Sequence, residues 1–152
     1  MKGLRAVLDT NALVSALRST QGASYAILQS LADHAFELCV SVPLMLEYED
    51  VAKRPTIRRR VSAAAVDDIL DFLCGVAIQQ PVFFLWRPHL PDPKDDAVLE
   101  LAVAAQAKYI VTYNTKHFVG TEQFGIQVIP PPRFLLHIRQ PNARHLKRTS
   151  HP

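Results

Sequence analysis

The sequence predicts an α/β domain built on a mostly parallel sheet covered by helices on both faces. Two observations carry this. Short apolar runs alternate with amphipathic stretches along the body of the chain, the pattern of strand–helix units. Several of those runs also stop abruptly on polar residues with no turn glycine, which places polar side chains at the carboxyl edge of the sheet, where open parallel sheets hold their ligands.

The first run, Leu4 to Leu8, ends on Asp9-Thr10-Asn11. Asp9 therefore stands where an acid can do chemistry, although all three residue types also cap helices well, and one begins near Ala12. That helix is short, reaching Leu17. Gln21-Gly22 breaks it, and Ser24 fits the cap of a second helix with Ile27, Leu28 and Leu31 on one face. Phe36 to Val40 reads as the next strand and stops on Ser41, again polar.

Pro43 suits the first turn of a third helix. Along it Leu44, Glu47, Tyr48 and Val51 follow the i, i+3, i+4, i+7 spacing of a buried stripe, so a carboxylate faces inward. Such a group is protonated, paired with a cation, or bound to a metal, because an isolated buried charge is costly. Glu49 and Asp50 lie off the stripe as surface acids. Lys53, Arg54, Arg58, Arg59 and Arg60 follow, a cationic run that suits either a solvated surface or contact with nucleic acid.

Ser62 caps a helix with Val66, Ile69, Leu70 and Leu73 buried, ended by Gly75. Val82 to Trp86 is apolar enough for a strand, and Pro81 and Pro88 place it at an edge. Asp92-Pro93-Lys94-Asp95-Asp96 opens the next helix. Asp92 fits N-cap, Pro93 N1 and Asp95 the N3 position of a capping box, which gives Asp92 and Asp95 structural roles. Asp96 has no capping role and adjoins the stripe of Val98, Leu101, Ala102 and Ala105. Tyr109 to Val111 is a strand with Thr112 and Asn114 at its end, Lys116 to Phe118 a helical turn, and Ile126 to Ile129 the last strand. Pro130-Pro131-Pro132 then closes the domain.

The 152 residues suit one domain, and 49% hydrophobic content excludes a disordered chain. No apolar run approaches membrane-helix length and no signal-peptide core is present, so a cytoplasmic protein is expected. Cys39 and Cys74 lie among apolar neighbours without metal-ligand spacing and are expected to be buried free thiols. The net charge of +3 is unevenly spread: Arg133, Arg139, Arg144, Lys147 and Arg148 meet no acid, leaving residues 1–132 at −2. The expected organisation is a domain over residues 1–132 and a basic, flexible tail over 133–152. That tail either lies on a polyanion or is simply solvated.

With L-D-T-N-A-L-V-S-A-L, S-x-P-L-M-L-E-Y, D-P-K-D-D-A-V-L-E-L-A-V-A-A and Y-I-V-T-Y-N-T-K-H-F in order, residues 4 to about 134 resemble a PIN domain. The likeness is greatest to the bacterial toxin components of toxin-antitoxin systems, the VapC-like ribonucleases. The resemblance implies a three-layer α/β/α sandwich and RNA hydrolysis dependent on Mg²⁺ or Mn²⁺, with a 5′-phosphate and a 3′-hydroxyl as products. Matched position by position, Asp9, Glu47 and Asp96 are the metal-binding and catalytic acids, and Asn11, Ser41 and Thr112 are supporting polar residues. Asn114 stands where the family often has a fourth acid, and its amide oxygen is still a ligand. The basic run Lys53 to Arg60 becomes an RNA contact. RNA, a cognate antitoxin and a second copy of the chain are the expected partners.

Oxygen donors suit Mg²⁺ and Mn²⁺, and a bound ion resolves the inward-facing Glu47. It would also lower the pKa of an attacking water and neutralise charge on the phosphate. Two other enzyme classes place an aspartate after the first strand. A haloacid-dehalogenase-type phosphatase needs a second aspartate where Asn11 stands, and a response-regulator receiver needs an acidic pair near the first strand together with a late lysine. The non-enzymatic alternative is a weak or inactive PIN-like module that binds RNA or a protein.

Overall fold

Arg5–Leu8 (β1) is the middle strand of the sheet, and its consecutive buried Ala6, Val7 and Leu8 are the composition of a strand covered on both faces. The computed structural model describes residues 3–82 and 90–139. After β1 come helices α1 (Thr10–Arg18) and α2 (Ala23–Ala32), strand β2 (Glu37–Val40), and helices α3 (Val42–Ala52), α4 (Pro55–Arg58) and α5 (Ala63–Val76). Strand β3 (Ile78–Gln79), helix α6 (Pro93–Ala104), strands β4 (Tyr109–Val111) and β5 (Gln127–Ile129), and helix α7 (Pro131–Ile138) complete the body.

All strand pairs are parallel and the order is β3-β2-β1-β4-β5. The chain adds strands to one side of β1 up to β3, then crosses to the other side for β4 and β5. Strand order therefore reverses between β1 and β4, the position where open sheets form a ligand crevice. Register fixes what meets there. Leu8 lies opposite Val111, so Asp9 and Thr112 are neighbours at the carboxyl edge, and the Asp9 N–H donates to the Val111 carbonyl at 3.0 Å.

The layers form as the α/β/α sandwich expected. Helix α6 packs on β1, β2 and β4, while α1 contacts α2 and α3, and α2 contacts α7. Phe134 of α7 is fully buried, edge-on to Phe36 (centroids 5.0 Å apart) and Tyr109 (5.6 Å). The proline run thus opens a helix, Pro131 lying in its first turn, where no N–H is needed. The body extends through α7, beyond the boundary expected at residue 132. Residues 140–152 lie outside the described residues.

Three other expectations change. Gly22, not Ser24, is the N-cap of α2; Ser24 is turned inward and buried. Helix α5 runs past Gly75 to Val76, because Ala77 is already extended and leads directly into β3 without a left-handed glycine. Among the described residues the sheet edge beyond β2 is Ile78–Gln79, paired with Cys39 and Val40. Val82 is not in a strand, and 83–89 lie outside the described residues. Cys39 is buried but Cys74 is exposed, since it faces away from the Val66, Leu70 and Leu73 stripe that seats α5. Burial pushes the Cys39 thiol up to about 11.

Candidate active site

The carboxyl ends of β1 and β4 supply the centre of the site. Asp9 is the N-cap of α1, and its Oδ1 accepts the Thr10 N–H at 2.9 Å. Capping and a place at the site are therefore both true of it. Its Oδ2 accepts the Thr112 hydroxyl at 2.8 Å and the Asn11 amide at 3.3 Å. The Thr112 Oγ1 in turn accepts the Asn11 Nδ2 and the Asn114 backbone N–H, both at 3.0 Å, so its donor and acceptor capacity is used. Asn11 Oδ1 accepts the Tyr113 N–H at 3.0 Å. Asn11 and Thr112 thus lock the two strand ends together around one carboxylate.

Helix α3 brings Glu47. Ser41 caps it by accepting the Leu44 N–H, and the buried Tyr48 hydroxyl donates to the Leu8 carbonyl, tying the helix to the end of β1. Burial, with Asp9 and Glu47 nearby, pushes the Tyr48 phenol well above its ordinary value, so it stays a donor. One residue before it, Glu47 lies at the margin of the stripe with its side chain 23% exposed, less buried than the stripe predicts. It accepts the Thr10 hydroxyl and lies 3.9 Å from the Lys94 Nζ. One of the fates open to an inward carboxylate, pairing with a cation, is represented by this Lys94 contact. A groove of about 380 Å³ runs beside it, lined by Ser41, Pro43, Leu44, Lys94 and Val98 among others.

Helix α6 presents its acids differently from the sequence reading. Asp92 caps as expected, accepting the Lys94 N–H at 2.9 Å. Asp95 is buried, and its Oδ2 lies 3.4 Å from the His117 Nδ1. Its carboxyl is pushed up to about 6 by burial first and then by Asp9, Asp92 and Glu47, against the opposing effect of His117. Asp96, half-buried, accepts the Leu90 N–H at 3.0 Å and so holds the segment that leads into the helix. Asp95 feels the charges of both Asp9 and Glu47. The signal for it was present: Asp95, Val98, Leu99 and Ala102 follow the same i, i+3, i+4, i+7 spacing that singled out Glu47, and all four are buried. Thr10, Lys94 and His117 were also missed, since each is an ordinary surface type in isolation.

Asp9 is itself raised, by burial first and with Glu47 adding, against the Thr112 and Thr10 hydrogen bonds that favour its charged form. Mutual repulsion among carboxylates in a shielded site is what a hard divalent cation relieves, and the donors are oxygens. The donor chemistry fits such an ion. Among the described residues no three Asp, Glu, His or Cys side chains yet stand close enough to enclose one.

Asn114 is exposed and lies three residues past the end of β4, with its backbone N–H on the Thr112 hydroxyl. In the basic run, Lys53 pairs with Asp67 at 2.9 Å and Glu49 at 3.6 Å, and Arg54 with Asp50 at 3.0 Å, whereas Arg58, Arg59 and Arg60 are exposed. No helix among the described residues is long and apolar enough to cross a membrane.

A five-stranded parallel sheet with Asp9 locked at its reversal point defines an α/β protein of the open-sheet class, in which ligands are generally held at the carboxyl edge. The family profile described as PIN domain matches residues 5–116, and the chain belongs to that family. The crystal structure of VapBC2 from Rickettsia felis bound to a DNA fragment from their promoter is similar in fold. The TM-score is 0.53 at 17% identity, covering 82% of this chain and 97% of that one. No curated protein matches the chain.

Proposed function

We propose that this chain is a divalent-metal-dependent endoribonuclease, and that it serves as the cytoplasmic toxin component of a type II toxin-antitoxin system. The observation that supports the reading is Asp9, held by Thr112 and Asn11 at the point where strand order reverses, with Glu47 joined to it through Thr10 and the buried Asp95 of a third element within their electrostatic reach. Acids so placed destabilise the fold in the absence of a cation, which makes a functional reason for them the economical one. Mg²⁺ or Mn²⁺ bound there supplies Lewis acidity and neutralises charge on a phosphodiester.

The residues divide the work. Thr112 and Asn11 aim Asp9 by occupying one of its oxygens, and the Thr10 N–H fixes the other. Glu47, held by Thr10 and Lys94, and Asp95, beside His117, complete the donor set. Asp96, whose carboxylate already holds the Leu90 N–H, takes the positioning role, a revision of the acid assigned to α6 from the sequence. The Lys94 ammonium, 70% exposed at the rim, is placed to meet a phosphate. Arg58, Arg59 and Arg60, with the basic residues beyond 139, extend the contact along an RNA strand.

The second reading, a weak or inactive module that binds RNA or a protein, is favoured by Asn114, a neutral side chain where a further acid would strengthen cation binding. Incubating the protein with single-stranded RNA and Mn²⁺, with Asp9→Asn as control, separates the two. Metal-dependent cleavage leaving 5′-phosphates, absent from the variant, is the expected result. RNA binding without cleavage at any Mn²⁺ concentration would leave the binding module.

A further inference from the structure

Tyr113 sits between Thr112 and Asn114, at the rim of the acid cluster, and has an unusual orientation. A half-exposed tyrosine ordinarily turns its hydroxyl to water and hides its ring. Here the hydroxyl is turned onto the protein, 3.4 Å from both the Ser15 and Ser24 hydroxyls, and Ser24 is buried. The side chain is nevertheless 46% exposed. Its backbone is fixed as well, by the Asn11 side chain that also reaches Asp9. The backbone is therefore anchored and the hydroxyl directed toward two serines, while nearly half of the residue stays open beside the carboxyl edge of the sheet. An oriented, half-exposed aromatic side chain next to a phosphodiester site matches what an unpaired base stacks on.

We propose that Tyr113 stacks on a nucleobase of single-stranded RNA, adjacent to the phosphodiester presented to Asp9. The inference rests on the ribonuclease reading above and adds a substrate contact to it. Stacking tolerates any base, so Tyr113 sets the requirement for an unpaired nucleotide at one position rather than for a sequence.

Fluorescence-anisotropy titration of a labelled single-stranded oligoribonucleotide, in low salt with chelator, tests this with the full chain and its Tyr113→Phe, Tyr113→Trp and Tyr113→Leu variants. Phe and Trp keep a ring and should bind within about twofold of wild type, whereas Leu should bind roughly tenfold more weakly. An abasic nucleotide walked along the strand should cost wild type roughly tenfold at one position and cost the Leu variant nothing there. In parallel Mn²⁺ assays the Leu variant should raise KM while leaving kcat nearly unchanged, the mark of lost uniform binding.

Equal affinity of Leu and wild type overturns the proposal, as does a Phe variant as weak as Leu, which assigns the residue to its hydroxyl contacts. Loss of self-association in the Leu variant with unchanged RNA affinity overturns it in favour of an interface between copies. Should Leu fail to fold, the abasic walk on wild type, Phe and Trp decides alone. Cleavage by wild type with an unchanged KM in the Leu variant defeats the stacking and keeps the enzyme. Bound but uncut RNA that still shows the abasic position defeats the enzyme and keeps the stacking.

Discussion

The Thr112 hydroxyl, at the end of β4, donates to the Asp9 carboxylate, at the end of β1, over 2.8 Å. This bond crosses the point where strand order reverses, and Thr112 is fully buried, so water cannot replace it. Thr112→Val removes the donor while keeping the shape, and also strips the acceptor from the Asn11 amide and the Asn114 N–H. Leaving those groups unsatisfied should cost about 1–3 kcal/mol of stability, read from denaturant melts. Loss of an outer-shell contact of this kind should lower cleavage by about 10–100-fold. Thr112→Ser should restore most of both. A valine variant as active as wild type would show that Asp9 needs no orientation from β4.

Asp95 and Asp96 are separated by a paired substitution. Asp95→Asn should abolish cleavage and leave the fold intact or slightly more stable at neutral pH, since it removes a raised, shielded acid. Asp96→Asn keeps an oxygen for the Leu90 N–H and should retain most activity, whereas Asp96→Ala should lose about 1 kcal/mol of stability with the bond. The reverse pattern would return the reacting role to Asp96 and the capping role to Asp95.

The raised Asp95 also sets a pH window. Its carboxyl titrates near 6 in the folded chain against an ordinary 3.8, so the folded state binds the proton more tightly than the unfolded state. By linkage, its contribution to metal-free stability is present below the ordinary value and lost as pH rises through about 6. A cation competes with that proton. Thermal melts should therefore show a larger Mn²⁺-induced rise at pH 7.5 than at pH 5, and the difference should shrink in Asp95→Asn. An equal rise at both pH values in wild type would remove Asp95 from the cation's surroundings.

The fold was largely legible because its signals are local and repeated. Apolar runs ending on Asp9, Ser41 and Thr112 marked three strands and one edge of the sheet, and Ser62 and Asp92 were correct caps. Strand β3 was not legible, for two residues at a sheet edge need only Ile78 to be apolar, while the stretch after Pro81 carries more β-type residues. The placement of Asp95 was obscured by a conflict between two valid rules. Position N3 of a helix attracts acids for capping, and Asp95 occupies N3, but it also lies on the buried stripe. What distinguishes it is burial beside His117 within the field of Asp9, and no spacing within α6 contains those neighbours.

Charge on the basic run should appear in salt dependence. Lys53 and Arg54 are committed to neighbouring acids, so Arg58, Arg59 and Arg60 are the cations best placed to exchange counterions with RNA. Replacing all three with Gln should reduce the slope of log affinity against log salt by about 2, since each neutralised phosphate contributes about 0.7 on a single strand. Truncation after Arg139 spares α7 and isolates the contribution of Arg144, Lys147 and Arg148. An unchanged slope in either variant would make that segment a solvated surface.

Asn114 offers the most direct test of how strongly the site holds a cation. Its side chain is exposed, its backbone N–H is anchored on the Thr112 hydroxyl, and it begins the 3₁₀ turn that carries His117. In the absence of metal an added carboxylate there should increase the repulsion around Asp9 and Asp95. With a divalent ion bound the sign reverses. Two units of positive charge about 4 Å from one negative charge attract by several kcal/mol even at an effective dielectric near 20, an upper bound before solvent is displaced. Asn114→Asp should therefore lower the Mn²⁺ concentration for half-maximal cleavage by about tenfold, with little change in the saturated rate, while lowering the melting temperature in chelator. A metal titration of both proteins against one RNA, paired with melts in chelator, reads both effects. Superimposed titration curves would place Asn114 outside the cation's reach and leave its role to the backbone bond that holds Thr112 against Asp9.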